Sequence, residues 1–448
     1  MENKSPLGST ENADGGRIPA PVTPRERLAW ALFDFANSGY TTVVLTAVFN
    51  AYFVGVVAAG AGLDSGTATL LWTLATGTAN ALVILTAPLL GALADHSAHK
   101  KRYLLITTAG CILATVALAQ AGPGDLWPAM ALLVLSATLY FTGENLIAAF
   151  LPELSPPEGM GRLSGYGWSL GYLGGLLVLG LSLGYIHWAK EQGMGATQYV
   201  PGTLYITSTV FALAALPTFL WLRERATPRP TPPGGLFRAG MDRLRHTWHH
   251  ARRHRDLFRL LVAITTYHCG INTVIVLAAV YAQEAMGFTT QDSILLILVV
   301  NVTAALGALL FGRLQDRLGA VPTLAITLGI WILTVAAAYA VESRGGFWWV
   351  ANGVGIALGA SQSAGRALVG CLAPRSRSGE FFGLWGLAVK LSAIIGPVSY
   401  GLIAHLTDGD HRSALLSTLV FFIAGLLLLL RVDEARGRAA ARAAEKTS

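Results

Sequence analysis

Four ionisable side chains, Asp34, Glu144, Arg366 and Lys390, sit inside long apolar runs of the chain. In a hydrocarbon setting an ionised group at mid-run costs about 2.5–3.5 kcal/mol, so each must turn toward a protein interior. Polar neighbours share their faces. Asn37 and Ser38 follow Asp34 at i+3 and i+4 of a helix, Asn145 adjoins Glu144, and His268 and Asn272 stand four apart. Carboxylates in such a place can take up and release a proton, a lysine can hold an anion, and amides can orient a polar ligand. Lys390 needs a counter-ion, from Asp34, from Glu144 or from a carboxylate ligand. Plainer roles stand beside these. Asp34 would only tie its helix to neighbouring loops, Arg366 would extend its charge to the nearby membrane edge, and His268 would be a neutral, hydrogen-bonded core residue. Asn80, Asn301, Asn352 and Gln362 read as hydrogen bonds between helices.

Other chemistries find no support. The Gly-rich stretch 165–184 lacks the Gly-Lys-Ser/Thr ending of a phosphate loop and lies in an apolar run, which points to close helix packing. Cys111, Cys269 and Cys371 are far apart and read as small core residues. His246, His249, His250 and His254 have a spacing that could hold a metal, but they lie in a basic stretch better read as a solvated linker. No Ser-His-Asp, zinc-ligand or haem pattern is present, and no cofactor is expected.

The elements that must position these groups follow from composition. Of 448 residues, 53% are hydrophobic and 13% charged, with a net charge of +7 and a mean hydropathy of +0.53. Soluble domains carry about 25% charged residues, so a soluble enzyme, a disordered chain and a disulfide-built domain are excluded. Twelve runs of about 20 apolar residues or more are long enough to cross a bilayer as helices: 28–57, 70–92, 103–121, 128–150, 163–187, 204–222, 260–283, 291–311, 321–341, 347–371, 382–405 and 413–431. A β-barrel would instead show short alternating segments. The fold class is therefore an all-α integral membrane protein.

Lys and Arg settle the orientation expected of these spans. With the N-terminus cytoplasmic, 27 basic residues fall on the cytoplasmic side and 3 opposite. Both termini are then cytoplasmic in a cell membrane, and no nucleic-acid partner is needed to explain the positive charge. Residues 1–24 are polar and expected to be disordered. Bundles over 25–222 and 260–431 are joined by a basic linker, 223–259, suited to anionic lipid, and 432–448 forms a cytoplasmic tail.

The two sets of six spans carry a repeat. Gly91-Ala-Leu93-Ala-Asp95-His96-Ser-Ala98 after span 2 matches Gly312-Arg-Leu314-Gln-Asp316-Arg317-Leu-Gly319 after span 8, at an offset of 221 residues. Pro152 with Pro374 and Gly175 with Gly396 keep that offset to within a residue. Glycine permits close helix approach, and an aspartate can accept bonds from a helix N-terminus or pair with a basic residue. Gly91, Asp95, Gly312, Asp316 and Arg317 are thus candidates for a conformational latch. The first copy departs from the second, with His96 and Ala98 at basic and glycine positions.

This loop resembles the signature of the major facilitator superfamily, whose fold comprises twelve helices in two six-helix repeats. A narrower resemblance rests on three stretches: Trp30 to Thr46, Leu151-Pro152-Glu153 with Ser164-Gly-Tyr166-Gly-Trp168, and Glu380-Phe381-Phe382-Gly383 with Lys390 and Gly396-Pro397. They are similar to the vacuole-effluxer-like family, which includes autophagy-related amino-acid effluxers. The chain departs from it at His268-Cys269-Gly270 and at Ile147-Ala148. The resemblance implies a secondary carrier, not an enzyme, moving a small organic solute, foremost an amino acid, by alternating access with a proton as coupling ion. It also implies that spans 1, 4, 7 and 10 line the cavity. Asp34 and Glu144 would then face each other at one depth, where repulsion favours a proton on one of them. A multidrug-type exporter and a non-transporting membrane sensor or scaffold are the alternatives. The lack of a folded extramembrane domain speaks against the last.

Overall fold

The computed structural model describes residues 21–226, 254–407 and 411–446, with Arg238, Met241 and Arg245. The expectations for residues 1–20 and for His246, His249 and His250 lie outside the described residues. The helices are α1 (Pro24–Ala58), α2 (Ser65–Ser97), α3 (Lys100–Leu118), α4 (Leu126–Ala148), α5 (Pro157–Glu191) and α6 (Ala196–Trp221). The second set is α7 (Arg255–Met286), α8 (Thr290–Leu318), α9 (Ala320–Ala340), α10 (Arg344–Leu372), α11 (Ser378–Leu406) and α12 (His411–Ser417 with Leu419–Leu429). A last helix, α13 (Glu434–Lys446), follows. No strand occurs among the described residues.

Among the described residues, ten helices are long and apolar enough to cross a membrane, or eleven if α12 and α13, bent by 63°, count as one span. All twelve expected spans are present as helices α1–α12, although by that measure of length and apolarity α10 falls short. It carries Asn352, Ser361, Gln362, Ser363 and Arg366, and from Ala357 to Leu372 every residue but Gln362 is buried. A helix surrounded by protein does not need a lipid-facing surface. Two boundaries also move: α7 begins at Arg255, so the linker ends earlier than expected, and much of the expected tail is the helix α13.

Local sequence explains the ends that matter. Thr23 and Glu26 form a capping box, with Thr23 N–H donating to Glu26 Oε2 at 2.9 Å, and Pro24 follows as the first residue of α1. Past Asp34, α1 widens into π-helical turns over Tyr40–Ala47 and Phe53–Ala58. There Thr41 and Thr42 hydroxyls bond back to Ser38 O, and such turns re-aim the side chains beside a site.

The halves meet along two seams at the end of the bundle that carries Pro24 and Lys446, called here the terminal end. Along one seam α2 crosses α11, where a Cβ on Gly91 would collide with the Gly379 carbonyl. Along the other α5 crosses α8, where a Cβ on Gly312 would lie 2.7 Å from Gly161 O and 3.1 Å from Gly165 Cα. Farther along α5, Gly180 and Gly184 have nothing within 4 Å. The α5–α8 contact therefore belongs to the terminal end.

Candidate functional site

A buried ion pair joins the two halves. Arg366 Nη1 of α10 donates to Asp34 Oδ2 of α1 at 2.7 Å, with both side chains largely buried. Arg366 also donates from Nε to Ser164 Oγ (3.1 Å) and from Nη2 to Ser164 O (3.0 Å) on α5. Its guanidinium lies between two indoles, 4.8 Å from the Trp30 ring and 5.3 Å from Trp168. Gly167 is what leaves room: a Cβ there would sit 2.5 Å from Arg366 Nη2 and 3.0 Å from Trp30. The membrane-edge role for Arg366 is thus overturned, since Asp34 and two tryptophans hold it inside.

One layer farther from the terminal end, Lys390 of α11 faces α4. Its Nζ sits 3.1 Å from the centroid of the Phe141 ring, within electrostatic reach of Glu144. No direct ion pair joins Lys390 to Glu144 or Asp34 among the described residues. Glu144 instead accepts from the Tyr140 hydroxyl at 3.0 Å, and Tyr140 stacks on Tyr40 with centroids 5.0 Å apart. Asn145, one residue on, is buried against Gly386 of α11, and its amide nitrogen has no partner among the described residues.

The remaining candidates divide. His268 is buried between Ile264 O and Gln362 Oε1, both at 3.1 Å, and Asn272 donates to Ser392 Oγ of α11 at 3.0 Å. Asn37 is buried in α1. Asn301 and Asn352 each bond a carbonyl of their own helix, at 2.8 Å, so they do not join helices as expected, whereas Gln362 does.

The repeated loops close the terminal end. Asp95 is buried and accepts from Gly379 N (3.0 Å) and Glu380 N (2.9 Å), the first peptides of α11. Lys100 stands 3.5 Å from Asp95, bonds Glu153, and donates to Ser378 Oγ at 2.9 Å. Lys100 thereby supplies a positive charge beside Asp95. In the second copy Asp316 accepts from Arg162 N of α5 at 3.2 Å, with Arg162 Nε at 3.8 Å. Its partner is Arg162 and not Arg317, which is exposed. Each aspartate reaches into the opposite half.

Sequence reasoning passed over Trp30, Ser164 and Trp168 as partners of Arg366, and Tyr140 and Phe141 as the wall facing Lys390. The four-residue spacing Ser164–Trp168 and the run Tyr140-Phe141 before Glu144 are the signals that were there to use.

Residues 158–442 match the family described as vacuole effluxer Atg22 like. The chain is 27% identical to the uncharacterized MFS-type transporter YxiO of Bacillus subtilis (strain 168) over 414 residues, 92% of this chain and 95% of the relative. It is 26% identical to autophagy-related protein 22 of Yarrowia lipolytica over 68% of this chain and 56% of the relative. The chain thus spans about half the length of that fungal relative. In structure it is similar to the human organic anion transporter MFSD10 (TM-score 0.72, 15% identity, 91% of this chain and all of the other). It is also similar to the proton:xylose symporter XylE (TM-score 0.71, 15% identity, 94% and 98%). Fold, apolar helices and family match agree, and the chain belongs to the Atg22-like vacuole effluxer family, as a multi-pass membrane transporter with the major facilitator fold.

Proposed function

We propose that this protein is a secondary transporter that exports an amino acid across the cell membrane, with both termini cytoplasmic and a proton as coupling ion. The observation that carries the reading is the buried Asp34–Arg366 pair, which ties one half to the other. Breaking a buried pair on one side costs about 3–5 kcal/mol, enough to bias a two-state equilibrium strongly. A proton taken up by Asp34 removes the charge that holds Arg366 and frees α1 from α10. Asp95 and Asp316, bonded across the two seams, act as the latch of the same closed arrangement.

Lys390 and Glu144 support the substrate class. They lie in opposite halves, within electrostatic reach of each other and without a direct pair. A zwitterion is complementary to the two charges, its carboxylate toward Lys390 and its ammonium toward Glu144. Binding then draws α11 toward α4 and links occupancy to closure.

The test is competition among matched acid, amide and amine analogues of one amino acid in vesicles containing the purified protein. Lys390→Met should weaken the acid strongly and the decarboxylated amine little, and Arg at 390 should restore binding only in part. Equal weakening of all three would remove the carboxylate-binding role. Competition between substrates of unrelated shape would favour a multidrug-type exporter instead.

A further inference from the structure

A cavity of about 840 Å³ lies on the side of the bundle between α1, α5 and α8, at the terminal end. Leu163, Tyr166, Leu170 and Leu173 of α5 form one stripe along it, and Leu309 of α8 lies across from them. Leu28 and Leu173 in this wall are about half exposed, at 49% and 46%, so the groove opens sideways where lipid would stand. Three exposed guanidinium groups gather at its terminal end. Arg27 of α1 and Arg162 of α5 line the groove, and Arg313 of α8 stacks on Tyr166 at 5.6 Å. Glu158 also lines it and is held 3.5 Å from Arg438 of α13.

The dimensions match one leaflet. Arg162 and Leu173 are eleven residues apart, about 16 Å along a helix, which is roughly half of a 30 Å hydrocarbon core. Charge therefore sits at headgroup depth with apolar wall directly below it. A soluble anion would use the arginines and leave the wall exposed; a neutral lipid would use the wall and leave Arg27 and Arg313, which meet no carboxylate among the described residues, without a counter-charge, Arg162 alone having Asp316 at 3.8 Å.

We infer that this groove binds one anionic phospholipid from the leaflet at the terminal end. Its phosphate lies among Arg27, Arg162 and Arg313, and an acyl chain runs along Leu163 to Leu173. Because α1 and α5 belong to one half and α8 to the other, a lipid seated here favours the arrangement in which α5 and α8 are in contact. The inference does not depend on the transported substrate.

Native mass spectrometry of the delipidated full chain tests it, with phosphatidylglycerol and phosphatidylcholine of identical acyl chains as probes. Phosphatidylglycerol should be retained about tenfold better. The double variant Arg27→Gln/Arg313→Gln should abolish that preference, and Leu173→Trp, which fills the apolar wall, should cut retention of phosphatidylglycerol severalfold. Equal retention of the two lipids by the parent would overturn the site, as would a preference that survives the double variant. Displacement of phosphatidylglycerol by millimolar inorganic phosphate, with Leu173→Trp indistinguishable from the parent, would reduce it to a surface anion patch and overturn the groove assignment.

Discussion

At the scale of single residues, what the bundle interior does with charge is set by what surrounds it. Arg366 is tolerated because a carboxylate, a serine and two indole faces replace its water, and that arrangement depends on the missing side chain at position 167. Gly167→Ala should displace the guanidinium at a cost of about 1–3 kcal/mol, as overpacking does. Melting of the purified protein and loss of transport with unchanged helix content would show it; a silent substitution would mean that the pair has slack. Outside the spans, Glu224 gives a pH dependence. Burial pushes its carboxyl up to about 7, although it accepts from Lys101 N at 2.9 Å. Because the folded chain holds this proton more tightly than the usual carboxylate range near 4.5, its contribution to stability should fall as pH rises from about 4.5 to about 7. A melting curve taken across that window should flatten in Glu224→Gln. The charged residues inside the spans were legible in the sequence as candidates, but their partners were not. Asp34 and Arg366 are 332 positions apart, and only the packing of α5 against both α1 and α10 selects that pair over Asp34 with Glu144 or Lys390.

Among the helices, the two copies of the loop signature do the same work with different parts. Asp95 caps α11 and Asp316 bonds the start of α5, and the glycine of each motif is the point where backbones touch. Gly91→Ala should therefore push α2 off α11 and raise the reactivity of cysteines placed on the terminal side of that seam. Unchanged labelling would show that the crossing tolerates a methyl group. The spacing Gly-x-Leu-x-Asp made the motif visible, and its partners were hidden because they come from the other half. The helix ends after the two motifs also differ: the second copy turns at Gly319 (φ 94), while the first turns at Ala98 (φ 54). A left-handed alanine costs about 1 kcal/mol relative to glycine, so Ala98→Gly should raise stability by about that amount, read as a higher melting temperature. The expected tail was missed as a docked helix because its Ala-Arg pattern has no long apolar run. It is fixed instead by polar contacts: Arg436 donates twice to Asp256 of α7 at 2.6 Å, and Glu434 accepts from Ala320 N and Val321 N at the start of α9.

For the whole molecule, the picture is of two six-helix halves touching at one end, with a buried ion pair and two aspartates bonded across the seams holding that end shut. The chain-wide apolarity and the repeat made this architecture readable, α10 included, although that helix carries more polar residues than its neighbours and is wrapped by them. The account stands or falls on whether the Asp34–Arg366 pair couples a proton to the exchange of states. Vesicles containing the purified protein, loaded and assayed with labelled amino acids, separate the two steps. An imposed pH difference drives accumulation, and substrate exchange without a gradient needs only the change of state. For Asp34→Asn we expect accumulation to be lost while exchange continues. Accumulation in Asp34→Asn equal to that of the parent would contradict the account.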